Sequence, residues 1–237
     1  MSDKVHALIS VSLMVPFYLV WILGYLNAIP LTLYKALEMA LSIMFIIGLA
    51  ILLLPIAHKI INLTRKDKYF LATIILMTLF IILGASLSYI KYLTYNAYAW
   101  DLGIFMQALF STAFYHKLLY YTVELFINPS GSFLGAHFSP ILFTLVPIYY
   151  LYPHSITLLA IQAVLLYTPV MPLYLIALRL THNESIAFIT SLMYLLSPGV
   201  ASPLYFDFHV EVFIPLLYIV TVLFIIMRRW VPAMVSL

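Results

Sequence analysis

Apolar runs long enough to cross a lipid bilayer recur along this chain and limit what it can fold into. A membrane-spanning helix needs about 20 apolar residues. The chain has 65% hydrophobic and 8% charged residues, whereas a soluble domain carries about 25% charged residues. We therefore predict an all-α fold, a polytopic membrane helix bundle with about six transmembrane helices: Val5–Asn27, Tyr34–Ala57, Tyr69–Leu93, Ser155–Leu180, Ser185–Leu204 and Glu211–Met227.

The basic residues predict how these helices are oriented. The segment His58–Lys68 is the most basic in the chain, and the positive-inside rule places it in the cytoplasm. Phe138–Tyr152 is apolar but too short to span and contains two prolines, so we interpret it as a re-entrant or interfacial helix. With that interpretation Arg228 and Arg229 also face the cytoplasm. The protein is then a multi-pass cell-membrane protein with a cytoplasmic N-terminus and a large outer loop, residues 94–154.

The chain divides at the basic segment. We predict that residues 1–68 form a helical hairpin of two spans with a basic cytoplasmic loop, and that residues 69–237 form a membrane core. Because the chain ends just after a span, we expect this core to be the N-terminal part of a larger one. The outer loop opens with an amphipathic stretch, typical of a helix in the membrane interface. An aromatic belt is predicted beside it: Tyr89, Tyr92, Tyr95, Tyr98 and Trp100.

Several functional classes lack support in the composition. The chain has no cysteine, so it has no disulfide, no thiolate nucleophile and no cysteine-based metal site. Its net charge of +3 resides in short loops rather than along a stripe, which argues against nucleic acid as a partner. No nucleotide-binding or hydrolase motif is present. The lipid bilayer is the partner that the sequence predicts directly.

Three groups of polar residues fall on the predicted outer side. Asp101 and Gln107 lie in the amphipathic stretch, and His137 follows later in the loop. Asp207, His209 and Glu211 alternate with apolar residues. Carboxylates beside a bilayer are costly and mark functional sites by default. An extended segment would place the last three on one face, where a divalent cation would suit them. If a helix begins earlier, Asp207 and Glu211 still share a face while His209 turns away.

Each group also has a purely structural interpretation, which the sequence leaves open. Asp101 is a residue type favoured at a helix N-cap. His137 suits the membrane interface. The three residues from 207 to 211 suit the end of one span and the acidic start of the next.

Three motifs together resemble a known family. They are Trp-Asp-Leu-Gly-Ile-Phe at 100–105, His-Phe-Ser-Pro-Ile-Leu at 137–142 and Phe-Asp-Phe-His-x-Glu at 206–211. This combination resembles a prokaryotic membrane protein family of unknown function that is grouped with the glycosyltransferase C superfamily. The resemblance covers about residues 89–230 and leaves residues 1–68 unmatched.

The resemblance implies a glycosyltransferase C-like fold and an enzyme that takes a sugar from a polyprenyl-phosphate donor at the outer membrane face. Asp101 would be the catalytic carboxylate that activates the acceptor. By the same resemblance, His137, Asp207, His209 and Glu211 would line the same outer cavity. From the residues themselves we predict substrate binding by Lys91, Gln107, Lys117 and His137, and binding of a divalent cation by Asp207, His209 and Glu211.

Two other functional classes remain as alternatives. A transporter subunit is disfavoured because the predicted carboxylates lie at span ends, whereas ion-coupled transporters place ionisable groups near the middle of the membrane. A non-catalytic membrane scaffold is favoured if the chain is complete as given.

Overall fold

The computed structural model describes residues 3–97, 99–229, 232 and 234. Within these residues the chain is helical, and the single β-type pairing is an isolated antiparallel bridge between Tyr120 and Ser132. The predicted all-α class is confirmed. The α-helices of the described part are α1 (Asp3–Tyr25), α2 (Leu31–Thr64), α3 (Lys68–Leu93), α4 (Ala99–Tyr115), α5 (Phe133–Ala136), α6 (Val146–Leu151), α7 (Ser155–Tyr167), α8 (Val170–Thr181), α9 (Glu184–Leu195), α10 (Pro198–Ala201) and α11 (Ile214–Ile226). Short 3₁₀-helices, Pro140–Leu145, Ser202–Tyr205 and Val210–Phe213, lead into or out of several of them.

Four helices of the described part are long and apolar enough to cross a membrane, and a bent pair brings the number to five. The four are Lys4–Tyr25, Leu31–Thr64, Lys68–Leu93 and Ser155–Thr181. The bent pair joins Glu184–Leu195 to Pro198–Tyr205 at an angle of 50°. The predicted sixth span appears as a shorter apolar helix, Val210–Ile226. The count of about six is therefore higher than the described residues support.

The outward faces of these helices explain why they need a membrane. Along α3, seven large apolar side chains are each more than half exposed: Ile75, Leu79, Ile82, Leu83, Leu87, Ile90 and Leu93. Their spacing places them on one helical face. Such a continuous apolar stripe is unfavourable in water and suits the hydrocarbon core of a bilayer.

The chain forms two compact units, each assembled from segments that are separated in sequence. Unit 1 contains the residues up to Ile60 and Leu102–Thr157, and unit 2 contains Ile61–Asp101 and the residues from Leu158 onward. In unit 1, Trp21 Nε1 donates a hydrogen bond to the Thr112 carbonyl at 2.9 Å. In unit 2, α3, α8 and α9 pack against one another.

The basic segment is more helical than predicted. Instead of a loop over His58–Lys68, α2 continues to Thr64, because no glycine or proline follows Pro55 in this stretch. Asp67 then begins α3 as its N-cap, accepting hydrogen bonds from the backbone N–H groups of Tyr69 and Phe70. Tyr174 of α8 donates to the second oxygen of Asp67 at 2.5 Å, which fixes the start of α3 within unit 2.

Prolines interrupt two of the later helices. The predicted span Ser155–Leu180 is interrupted at Thr168 and Pro169, between α7 and α8, but still ranks as one candidate span. The next one breaks before Pro198, which is the first residue of α10. A proline lacks the N–H group that the helix would require and clashes with the preceding turn. Phe138–Tyr152 forms only a short 3₁₀-helix and α6, and Pro140–Leu151 is too short to rank with the candidate spans.

Candidate functional site

Asp101 and His209 face each other in unit 2. Asp101 lies in the first turn of α4, whereas His209 lies in the extended stretch before the 3₁₀-helix Val210–Phe213. The distance from His209 Nε2 to Asp101 Oδ1 is 3.5 Å. About a third of each side chain is exposed, 37% for His209 and 32% for Asp101. Both groups are thus accessible to a substrate while they remain in contact range of each other.

A hydrogen bond at the Nδ1 atom of His209 fixes the orientation of the ring and shows which ring nitrogen carries the hydrogen. His209 Nδ1 lies 2.8 Å from the backbone carbonyl oxygen of Asp207. Because a carbonyl can only accept, Nδ1 must carry the hydrogen and donate it. In the neutral ring Nε2 is therefore the nitrogen without a hydrogen, and it is the nitrogen that faces Asp101.

Lys91 and Asp207 hold the stretch that carries His209. The Lys91 Nζ atom lies 3.2 Å from Asp207 Oδ1 and donates to the carbonyl oxygen of Tyr205 at 2.7 Å. Asp207 is buried, and a buried carboxylate requires such a partner. Lys91 belongs to the last turn of α3. The structure thus places these two predicted site residues against each other, as supports for His209.

The predicted divalent-cation site is not assembled. No group of three or more His, Asp or Glu side chains in the described residues is arranged to hold a metal ion. Asp207 Oδ1 faces Lys91, and Glu211 is exposed in the first turn of the 3₁₀-helix that follows His209. The described residues as placed therefore do not fit a bound cation.

A cleft of about 420 Å³ opens beside His209 within unit 2. Asp207, His209 and Glu211 line one part of it, and the remaining wall is mostly apolar and comes from α7, α9, α10 and the start of α11. Gln162 of α7 is fully buried at this wall and donates to the Pro203 carbonyl at 2.6 Å. The cleft forms at the break between α9 and α10, so the Pro198–Gly199 pair is the sequence signal that could have located it.

The other predicted substrate-binding residues lie in unit 1. Gln107 exchanges hydrogen bonds with Thr122, whose N–H donates to Gln107 Oε1 at 3.1 Å. The Lys117 Nζ atom lies 4.2 Å from the centre of the Tyr120 ring. His137 is exposed at the end of α5. Their roles in binding a substrate stay predictions.

The predicted aromatic belt is partly described. The rings of Tyr89 and Tyr92 stack with their centres 6.1 Å apart. Tyr95 and Trp100 are exposed, as residues at a membrane interface are expected to be. Tyr98 lies outside the described residues.

Comparison with known proteins assigns the chain to a family. A family described as "Predicted membrane protein (DUF2079)" matches residues 90–237, which is more than half of the chain. This range contains Lys91, Asp101 and His209 and all three sequence motifs. No curated protein matches, and no solved structure matches.

Proposed function

Because the chain belongs to the DUF2079 family of predicted membrane proteins, we propose that the Asp101–His209 pair is the acid–base centre of a membrane enzyme. The proposed reaction is transfer of a sugar from a polyprenyl-phosphate donor to an acceptor hydroxyl, as in the glycosyltransferase C superfamily. The observation that carries the proposal is the 3.5 Å distance between His209 Nε2 and Asp101 Oδ1, since it joins two of the three motifs in one site.

Asp101 is the proposed general base. The acceptor hydroxyl passes its proton to the Asp101 carboxylate while its oxygen bonds to the anomeric carbon of the sugar. The bond from that carbon to the donor phosphate breaks, and the polyprenyl phosphate leaves with the electron pair. Positioned bases of this kind accelerate a reaction by about 10²–10⁴-fold.

His209 is the proposed partner that removes the proton afterwards. Its Nδ1–H group is held by the Asp207 carbonyl, so Nε2 is oriented to receive the proton from Asp101 and release it to water. The 3.5 Å separation is longer than a hydrogen bond, and catalytic hydrogen bonds commonly tighten only when substrate is bound. Lys91 and Asp207 act as positioning residues, because they fix the backbone that orients His209.

The shape of the cleft supports an amphipathic donor. Ligand pockets measure about 300–1,000 Å³ and are mostly apolar with a few polar groups, and the cleft of about 420 Å³ has this character. An isoprenoid chain would lie along its apolar wall. The phosphate-linked sugar would then lie near His209 and Asp101.

The proposal includes an orientation for the chain. With Arg65, Lys66 and Lys68 in the cytoplasm, α3 leads outward and delivers Lys91 and Asp101 to the outer face of the cell membrane. The N-terminus is then cytoplasmic, and residues 1–68 form a hairpin that precedes the core of residues 69–237. Val210–Ile226 would be the sixth crossing.

A transporter subunit is the second candidate, and a broken helix in unit 2 favours it. Transporters build their sites at discontinuous helices. The break between α9 and α10, where the helix bends by 50°, is of this kind. The buried Gln162 Oε1 near this break has no hydrogen-bond partner in the described part of the chain. Substrate-dependent flux in liposomes would favour this candidate over the enzyme. A non-catalytic scaffold would show neither flux nor transfer.

The test is a transfer assay on the full chain in lipid nanodiscs, with a radiolabelled polyprenyl-phosphate hexose as donor. The wild-type protein should release label from the lipid phase, and Asp101→Asn should reduce the rate by at least about 100-fold. Glu184→Gln, which changes an exposed acid at the start of α9, is the matched control and should keep the wild-type rate. Full activity of Asp101→Asn would remove Asp101 from the mechanism.

A further inference from the structure

Unit 1 contains a carboxyl group in the interior of a candidate membrane span. Glu38 lies on α2 and is 1% exposed. Its Oε1 atom is 2.6 Å from the hydroxyl oxygen of Tyr34, which is one helical turn earlier on α2 and equally buried. Ionisable residues at such positions are expensive and mark functional sites. The proposed transferase site does not use this pair.

The hydrogen-bond partners of Tyr34 determine which group carries the proton. A tyrosine hydroxyl has one hydrogen to donate. The Tyr34 oxygen lies within hydrogen-bond range of two groups, Glu38 Oε1 at 2.6 Å and the Ala113 carbonyl oxygen at 2.9 Å. The carbonyl can only accept, whereas a carboxyl group accepts when ionised and can donate when protonated. One hydroxyl hydrogen therefore satisfies both contacts only if Glu38 is protonated and donates to the Tyr34 oxygen.

The Ala113 carbonyl receives no hydrogen bond from its own helix and can use the Tyr34 hydrogen. Ala113 lies in the last turn of α4, where carbonyl groups lack an intrahelical donor. The Lys117 N–H group, which a continued helix would direct to Ala113, donates instead to the Ser111 carbonyl at 3.1 Å. The Tyr34 hydroxyl therefore donates its hydrogen to the carbonyl at the end of α4. The hydrogen in the contact between Tyr34 and Glu38 then comes from the Glu38 carboxyl group.

We propose that Glu38 is a proton-binding site, in which the carboxyl group holds a proton and donates it to the Tyr34 oxygen. The second carboxyl oxygen of Glu38 is buried and has no hydrogen-bond partner in the described protein. A neutral carboxyl tolerates this position far better than a carboxylate, because burying an unpaired charge costs much more than burying a polar atom.

Of the surrounding charged and titratable groups, Lys35 is near enough for its charge to act on Glu38. Lys35, on the same helix, is exposed, and its Nζ atom lies 5.7 Å from the centre of the Tyr115 ring. Glu38 forms no ion pair among the described side chains. From other elements, His116 and Tyr150 face the pair. Burial and the Lys35 charge lower the pKa of His116, and burial raises the pKa of Tyr150, so both are neutral at neutral pH.

A cleft in unit 1 gives the proton a route to water. The cleft has a volume of about 580 Å³ and is lined by residues that include Gly24, His116 and Lys117. His116 is 8% exposed, and its Nε2 atom has no hydrogen-bond partner in the described part of the chain. Its ring contacts the Tyr34 ring edge to face. His116 therefore lies between the cleft and the Tyr34 ring, and a proton that leaves the Tyr34–Glu38 pair would reach water past this ring.

The close approach of helix α1 holds the His116 ring in this place. A Cβ atom at Gly24 would lie 2.7 Å from His116 Nε2, which is closer than two such atoms can approach. Gly24→Ala would therefore displace the ring without changing any charge. Gly24→Ala therefore tests the effect of moving the His116 ring while the histidine itself is kept.

The test is infrared spectroscopy of the full chain in lipid nanodiscs at neutral pH. The wild-type spectrum should contain the carbonyl stretch of a protonated carboxylic acid, and Glu38→Gln should abolish that band. Glu184→Gln, with its exposed acid, is the control and should leave it unchanged. A spectrum in which Glu38→Gln instead removes a carboxylate band, or removes no band, would overturn the proposal.

Two further variants keep the test decisive if Glu38→Gln fails to fold. Tyr34→Phe removes the acceptor of the Glu38 proton, so the acid band should move to higher frequency. When the protein is transferred into heavy water, the acid band shifts as deuterium replaces the proton of Glu38. The rate of this shift in Gly24→Ala should differ from the rate in wild type. An unmoved band in Tyr34→Phe would contradict the assignment. An unchanged exchange rate in Gly24→Ala would contradict the route through His116. None of these results depends on the role of Asp101.

Discussion

Lys91 Nζ and Asp207 Oδ1 lie 3.2 Å apart and join the end of α3 to the stretch that carries His209. The lysine side chain is 17% exposed and the aspartate side chain is 2% exposed, so the pair is largely removed from water. Removal of one partner of a buried ion pair leaves an uncompensated charge and costs about 3–5 kcal/mol.

Lys91→Met should therefore lower the free energy of unfolding by about 3 kcal/mol. The double variant Lys91→Met/Asp207→Leu should recover much of this loss, because it removes both charges together. Thermal unfolding of both variants in the same detergent measures the difference. A double variant that is less stable than Lys91→Met would show that the pair does not act as a unit.

His209→Asn should retain the fold and lose activity. The asparagine amide can replace the Nδ1–H donor to the Asp207 carbonyl, but it provides no atom at the position of Nε2 beside Asp101. The transfer rate should fall by about 100-fold, with little change in unfolding temperature. The assay on nanodiscs described above measures the rate. A wild-type rate in His209→Asn would contradict the proposed role of His209 as the acceptor of the proton from Asp101.

The stability of unit 1 should depend on pH through His116. Burial lowers the pKa of His116 below its ordinary value of 6.5, so the unfolded state binds a proton more readily than the folded state. The stability is therefore fully present above about pH 6.5 and declines as the pH falls from there towards the folded pKa.

The measurement is the unfolding temperature of wild type and His116→Phe across this range. The wild-type value should fall relative to that of His116→Phe as the pH decreases. His6→Phe serves as a control for loss of a histidine elsewhere in unit 1. Parallel pH profiles for wild type and His116→Phe would contradict the prediction.

The sequence predicts those parts of the fold that local signals determine. The bounds of α3 follow from an apolar run between Lys68 and Leu93, and the helix breaks follow from Pro169 and Pro198. The end of α2 is mispredicted because a basic composition does not end a helix. The turn after Thr64 and the N-cap Asp67, which Tyr174 also holds, separate it from α3.

The site was less predictable because it depends on contacts between distant residues. The motifs identified Asp101, Asp207 and His209, but nothing local shows that Asp207 pairs with Lys91 rather than with a cation. Glu38 could have been singled out from the sequence as a candidate functional residue, since it is an acid within the predicted span Tyr34–Ala57. Its partnership with Tyr34 and Ala113 requires the packing of α2 against α4.

The central claim, that Asp101 and His209 share one site at the outer face of the membrane, can be tested directly because the chain has no cysteine. Single variants Asp101→Cys, His209→Cys and Lys66→Cys in intact cells are treated with a membrane-impermeant maleimide. The account predicts labelling at positions 101 and 209 and none at position 66. Labelling of positions 101 and 209 from opposite sides of the membrane would contradict it.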